Sequence, residues 1–172
     1  MNPPKSDHAH GPADDRSNQG WTMVRFKLHR GPDGWPPAES EGLWAEQLVG
    51  DQFRIDNTPW FVRNLATNDV VTALAGSDGV FWATGRVQWS GHLTIRIVPR
   101  REGPLGGRLQ SVVDALQIVG VSGELNEQPG IVALDVEPEA DVELVKRLLK
   151  GGQADGRWDF EEGCVSEEWT TL

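Results

Sequence analysis

Apolar and polar residues begin to alternate at residue 24. Val24, Phe26 and Leu28 are interleaved with Arg25, Lys27 and His29, the two-residue period of a strand with one buried face. Ordered structure is expected from Met23 onward. GPDGWPP, around Trp35, follows as a rigid turn-forming loop. ESEGLWAEQLV and QFRIDN read as two strands joined at Gly50-Asp51, the second alternating Phe53 and Ile55 against Arg54 and Asp56. NTPWFV reads as a turn leading into a short apolar strand, and NDVVTALA and VFWATGRVQWS flank a hairpin loop at Gly76-Ser77-Asp78-Gly79. Short strands with closely spaced turns predict a small β-barrel over residues 23–90.

The period then changes. Leu93, Ile95 and Ile97 mark a strand, after which Leu105, Leu109, Val112, Val113, Leu116 and Val119 fall on one helical stripe. Pro104 suits the first turn of that helix and Gly120 its end. VSGELNE and IVALDV predict a hairpin about Gln128-Pro129-Gly130. A second helix opens at Pro138, turns Val142, Val145, Leu148 and Leu149 inward, and closes at Gly151-Gly152. RWDFEEGCV supplies the last strand. The β-α-β-β-α-β order over residues 91–165 is that of a ferredoxin-like unit, an antiparallel four-stranded sheet with two helices on one face. The expected class is therefore α+β: an N-terminal small β-barrel followed by a ferredoxin-like βαββαβ unit. Residues 1–22 read as a disordered tail, polar and rich in Pro, Asp, Asn and Gly, and 166–172 as a short C-terminal tail.

Composition narrows the partners. Against 16 Lys and Arg stand 26 Asp and Glu, a formal net charge of −10, which disfavours nucleic acid as a ligand. The one basic cluster, Arg100-Arg101, is too small to reverse that field. The acidity serves solubility or a negatively charged surface for a basic partner. No apolar run approaches the ~20 residues of a membrane helix, and the N-terminus lacks the apolar centre of a secretory signal. A soluble cytoplasmic protein without membrane contact is the expectation. One cysteine excludes an internal disulfide framework and a cysteine-based zinc site. His8-Ala9-His10 in the tail is a solvated pair or a weak metal binder. Eight tryptophans and no tyrosine point to a core rich in indole rings.

Catalytic signatures are missing from the sequence: no phosphate loop, no GxGxxG before a helix, no His-Glu-x-x-His and no Gly-x-Ser-x-Gly. No metal or cofactor is expected. Candidate chemistry concentrates in QWSGHLTIRIVPR, residues 88–100. Extended, it places Gln88, Ser90, His92, Thr94 and Arg96 on one side and Trp89, Leu93, Ile95 and Ile97 on the other. That polar row has two readings. It is the wet side of an antiparallel strand, or it lines a crevice between the two halves, where His92 serves as acid or base and Arg96 holds an anionic group. Glu39 and Glu41, on one face if extended, add two carboxylates, either as ligand contacts or as exposed strand-end residues. Asp56-Asn57 ahead of Thr58-Pro59 reads as turn chemistry. Cys164, beside Asp159, Glu161 and Glu162, reads as a small buried hydrophobe, since neighbouring carboxylates raise a thiol pKa. Trp158 and Phe160 fall either on the open face of the sheet or under its helices.

Five segments in order, VRFKL, WPPAESEGLWAE, FRIDNTPWFVRNLATNDVV, SGHLTIRI and GRWDFEEGCV, resemble an uncharacterised bacterial family, the domain of unknown function numbered 4265. The resemblance spans Val24 to Val165 and departs only mildly, with Pro59-Trp60-Phe61 where Pro-Phe-Phe is expected. It implies no activity and no catalytic residue. It does direct attention to Trp35, Glu41, Trp44, Asn57, Pro59, Ser90, Gly91, His92, Thr94 and Arg96.

Three functional classes follow. The first is an accessory or regulatory module that binds a small molecule, peptide or protein in the crevice, with Trp35, Glu39, Trp44, Asn57, Ser90, Thr94 and Arg96 as ligand contacts. The second is an enzyme using acid-base chemistry through His92 with Glu41, assisted by Arg96. The third is an acidic neutralising partner of a basic protein.

Overall fold

The alternating segments pair as their turns dictate. In the computed structural model, which describes residues 20–118 and 120–172, β1 (Trp21–Lys27), β2 (Ser40–Gln47), β3 (Gln52–Ile55), β4 (Val70–Ala75) and β5 (Phe81–Gln88) form one closed ring. Consecutive strands are antiparallel, and a short parallel pairing of Val24 with Phe81 and Arg25 with Trp82 closes the ring. Period-two alternation aims Val24, Leu43, Ala45, Phe53, Ile55, Val71 and Ala73 at one shared interior. Leu65, from the segment between β3 and β4, completes that core.

The second half comprises β6 (Leu93–Pro99), α1 (Leu109–Ala115), β7 (Val121–Asn126), β8 (Ile131–Val136), α2 (Val142–Ala154), β9 (Trp158–Cys164) and α3 (Glu167–Thr171). Its four strands lie in the order β7-β8-β6-β9, all neighbours antiparallel. Leu93, Ile95, Ile97, Leu134 and Trp158 face the helices and pack on Leu109, Val112, Val145 and Leu149. The fold is thus α+β, mostly antiparallel sheet with few helices. None of the described helices is long and apolar enough to cross a membrane.

Several boundaries differ from those the sequence predicts. Strand β1 starts at Trp21, two residues before Met23, because Trp21 and Thr22 find partners in Glu46 and Ala45. NTPWFV forms no strand: the N–H groups of Trp60, Phe61 and Val62 are taken by a side chain rather than by a neighbouring strand. Helix α1 starts at Leu109 and not near Pro104, since Gly106 and Gly107 have φ of 58° and 74°, a left-handed conformation that no right-handed helix contains. Helix α2 is capped by Asp141, whose carboxylate accepts the Leu144 N–H at 2.9 Å, and it runs through Gly151-Gly152 to Ala154. Residues 166–172, read as a tail, contain α3 instead. Trp169 is fully buried there, its carbonyl accepting from Lys146 Nζ at 2.5 Å and its indole N–H donating to Glu162 at 2.7 Å. Trp158 lies under the helices. Indole burial is uneven, however: Trp158 and Trp169 are in the core, whereas Trp35 is 42% and Trp89 40% exposed. The tail with its His8-Ala9-His10 pair lies outside the described residues.

Candidate functional site

The polar row is not a single strand. Strand β5 ends at Gln88, the chain bends through Ser90-Gly91-His92, and β6 starts at Leu93. The side chains of Ser90, His92, Thr94 and Arg96 nevertheless share one target, the segment of residues 57–68 that joins β3 to β4. Ser90 Oγ donates to the Thr67 carbonyl at 2.7 Å and Thr94 Oγ1 to the Leu65 carbonyl at 3.0 Å. His92 Nε2 meets Asn68 Nδ2 at 3.2 Å. Arg96, 4% exposed, donates through Nε to the Pro59 carbonyl at 3.4 Å, through Nη2 to the Val62 carbonyl, and through Nη1 to Glu161 at 2.6 Å. The crevice expected to open between the two halves is therefore occupied by the protein's own chain. Buried backbone groups that pair with no strand need side-chain partners, and this row supplies them.

Glu41 supplies the complementary half. Alternation along β2 turns it inward with Leu43 and Ala45, at the end of the ring nearest Phe26. Its carboxylate accepts three backbone N–H groups, from Trp60 at 2.5 Å and from Phe61 and Val62 at 2.8 Å each. One turn, residues 59–62, thus has its N–H groups held by a carboxylate of the first sheet and its carbonyls by a guanidinium of the second. Burial pushes the Glu41 carboxyl above its ordinary value, and the three donors and the Arg96 charge oppose that shift. The folded protein therefore binds this proton more tightly than the unfolded chain does. The stabilisation from that proton is full below the ordinary carboxylate pKa and is lost as pH rises through the folded value. Urea midpoints measured in steps upward from about pH 4 should fall for the wild type relative to Glu41→Gln. Parallel curves for the two proteins would exclude the shift.

The other expected site residues scatter. Glu39 is exposed and precedes β2, contributing its carbonyl to the Leu28 N–H at 2.9 Å, so it makes no carboxylate pair with Glu41. Asn57 lies at a bend, but its Oδ1 accepts the Trp44 N–H of β2 at 2.8 Å rather than a backbone N–H two residues on, and the Trp44 ring is half-buried. His92 has a carboxylate in reach, Asp135 at 2.9 Å from Nδ1, but its second ring nitrogen is already engaged by Asn68. Ser90, two residues away, is bonded to Thr67 and to the His92 N–H, which leaves no nucleophile aligned with the imidazole. Cys164 is 4% exposed, and burial, with Asp69 nearby, raises its thiol pKa.

Trp35 lies elsewhere, on a cleft of about 490 Å³. The loop from Leu28 to Glu39 presents it through a dense set of local bonds. Arg30 donates to the Gly34 and Pro36 carbonyls at 3.0 Å each, Asp33 accepts the Trp35 N–H at 3.1 Å, and the Gly31 N–H donates to the Trp35 carbonyl at 2.7 Å. The Trp35-Pro36 peptide is cis. Phe61 meets the indole edge-on, with ring centroids 5.6 Å apart. Lys27, His29, Arg63 and Glu161 line the remaining wall. A second hollow of about 240 Å³, on the open side of the sheet, shares Trp35 and Glu161 with the first and adds Val98 and Ile131.

Sequence reasoning singled out Trp35 but missed Phe61, Lys27, Arg63 and Glu161, which come from three distant parts of the chain. Asp135 had a legible signal: it is the one ionisable residue in the otherwise apolar strand IVALDV.

The architecture recurs in a solved structure, described as the novel crystal structure of a hypothetical protein from Neisseria gonorrhoeae. It is 18% identical, and the match covers 84% of this chain and 96% of that one with a TM-score of 0.66, a likeness of fold alone. No curated protein matches the chain. The model of the domain of unknown function DUF4265 matches residues 41–160, from Glu41 in β2 to Phe160 in β9, and the chain belongs to that family.

Proposed function

We propose that this protein is a non-catalytic binding module of the cytoplasm, and that its ligand site is the cleft beside Trp35. We read the five-stranded ring as a small β-barrel. The second half we read as a ferredoxin-like unit, on the strength of its β7-β8-β6-β9 order and two sheet-covering helices. The observation that carries the binding reading is a large indole left 42% exposed although a tight loop fixes its position. Keeping an aromatic ring out of the core forgoes the stabilisation of burying it, on the order of 2 kcal/mol. A preformed aromatic wall also binds without an ordering cost. Glu41 and Arg96 belong to this reading as positioning residues: they fix the turn that carries Phe61 and Val62 into the cleft.

The acid-base reading at His92 has one supporting distance, to Asp135, and against it stand the engaged second nitrogen and the commitment of Glu41 to backbone N–H groups. The neutralising reading rests on net charge alone.

A fragment screen followed on the tryptophan indole N–H signals tests the proposal, with Trp35→Phe assigning its own resonance. Hits are expected to move the Trp35 signal first and to lose affinity at least about tenfold in Trp35→Ala, as removal of a central aromatic anchor does. Hits that gather on His92, or that bind Trp35→Ala unchanged, would remove the cleft from consideration.

A further inference from the structure

The charge on the cleft wall runs against the charge of the molecule, and this deepens the reading just given by naming a ligand class. The chain carries a formal −10, yet among the described residues the only carboxylate lining the Trp35 cleft is Glu161. That carboxylate is already held by two guanidiniums, Arg96 at 2.6 Å and Arg63 at 3.5 Å. Arg63 makes no other ion pair among the described residues, and its side chain is 75% exposed. Lys27 has no carboxylate partner among the described residues; its ammonium lies 5.8 Å from the Trp82 ring centroid. An adjoining hollow of about 280 Å³ shares Lys27 and Arg63, adds Arg86, and has no carboxylate in its wall among the described residues. Basic side chains thus outnumber acidic ones along a continuous surface next to two aromatic rings.

We infer that the cleft takes an aromatic or apolar acid: a small molecule or chain end whose planar body rests on Trp35 and Phe61 and whose anionic group is received by Lys27 and Arg63. The chemistry of the four residues divides cleanly. The exposed indole and the phenyl ring offer surface without hydrogen-bond acceptors, which suits an apolar body; their attraction for a cation at an exposed site is weak, so the charge preference is set by the basic side chains. The guanidinium and ammonium donate only, so they accept an anion and repel an amine. Arg63, exposed and loosely paired, can exchange its 3.5 Å contact with Glu161 for a bidentate bond to an incoming carboxylate at little cost, because exposed ion pairs are worth little. Glu161 stays compensated through the exchange by buried Arg96. An acid of this kind is reached either as a free metabolite or as the C-terminal carboxylate of a peptide ending in an aromatic residue.

Three probes of one shape test this on the full chain: 3-phenylpropionate, 3-phenylpropanamide and 3-phenylpropylamine, titrated at low salt and read on the Trp35 indole signal. N-acetyl-phenylalanine, compared with its amide, reports on the chain-end source. The carboxylates are expected to bind about tenfold tighter than their amides, the increment of a charge-assisted pair, with the amine weakest. Lys27→Ala with Arg63→Ala should bring carboxylate affinity down to the level of the amide while leaving the amide unchanged. Both residues are exposed, so an unaltered melting temperature is expected as the control for folding. Equal binding of acid, amide and amine at Trp35 overturns the anion inference and leaves the cleft standing. A carboxylate preference that survives the double variant also overturns it. Failure of every probe to move Trp35 removes both the inference and the cleft.

Discussion

Glu41→Ala should lose about 3–5 kcal/mol of unfolding free energy, the range found when one side of a buried charged contact is deleted. The truncation strands the N–H groups of Trp60, Phe61 and Val62, which have no strand to pair with, and leaves Arg96 holding the carbonyl side of the same turn. Each buried donor left without an acceptor costs about 1–3 kcal/mol before relaxation. Glu41→Gln keeps one oxygen and turns an amide donor against a backbone donor, so an intermediate loss is expected. Glu39→Ala, two residues away and exposed, should stay within about 0.5 kcal/mol. The raised Glu41 pKa does not conflict with this ordering. The pKa compares ionised with protonated carboxyl in one site, whereas truncation compares the carboxyl with nothing. Urea unfolding of the three variants is the measurement, and a Glu41→Ala loss under about 1 kcal/mol would mean that the turn finds other acceptors.

Gly152→Ala and Gly151→Ala should change stability in opposite directions. Intrinsic propensity favours alanine over glycine inside a helix by about 1 kcal/mol, and both residues lie within α2. At Gly151 an added Cβ meets no atom within 4 Å, so the substitution should stabilise by about 0.5–1 kcal/mol. At Gly152 the same Cβ would stand 2.0 Å from Cζ2 of Trp158. That ring is fully buried and tied by Nε1 to the Leu149 carbonyl at 3.1 Å, so it has nowhere to retreat. Overpacking against a fixed core ring costs about 3 kcal/mol or more and outweighs the propensity gain. The net loss of about 2 kcal/mol should lower the melting temperature of a chain of this length by roughly 4–8 °C. A Gly152→Ala protein as stable as wild type would show that Trp158 can repack.

The pair of glycines also shows what kind of error sequence reading makes here. Gly151-Gly152 reads as a helix terminator because glycine often ends helices, yet α2 continues past both, and Gly152 is there to admit an indole from a strand further along the chain. The same holds for the seven C-terminal residues. SEEWTTL is short and mostly polar, and only the buried seat of Trp169, with Lys146 and Glu162 as its polar partners, makes it a helix. NTPWFV is the instructive case for the site. Its apolar residues fit a strand, but the acceptors for its N–H groups come from a carboxylate in β2.

His92 heads the residues that periodicity marks for chemistry, and the row it belongs to does lie between the two halves. What periodicity leaves open is whether the space in front of such a row is empty. The loop of residues 57–68 fills it, and the polarity that resembles a binding surface satisfies buried backbone instead. The Trp35 cleft, by contrast, draws on the β1–β2 loop, the 59–62 turn and β9, pieces that no local pattern relates.

The nine paired strands, the two longer helices and the α+β class follow from the sequence alone, because period and turn residues are local properties of a chain and their physical consequences act over a few residues; α3 and the strandless 57–62 segment do not. Which polar residues serve the fold and which stay open to solvent was decided only by tertiary structure. The partner of a side chain is set by whatever distant segment arrives in front of it, and for Glu41 and Arg96 that segment was the protein's own backbone, whereas for Trp35 the approach was left open.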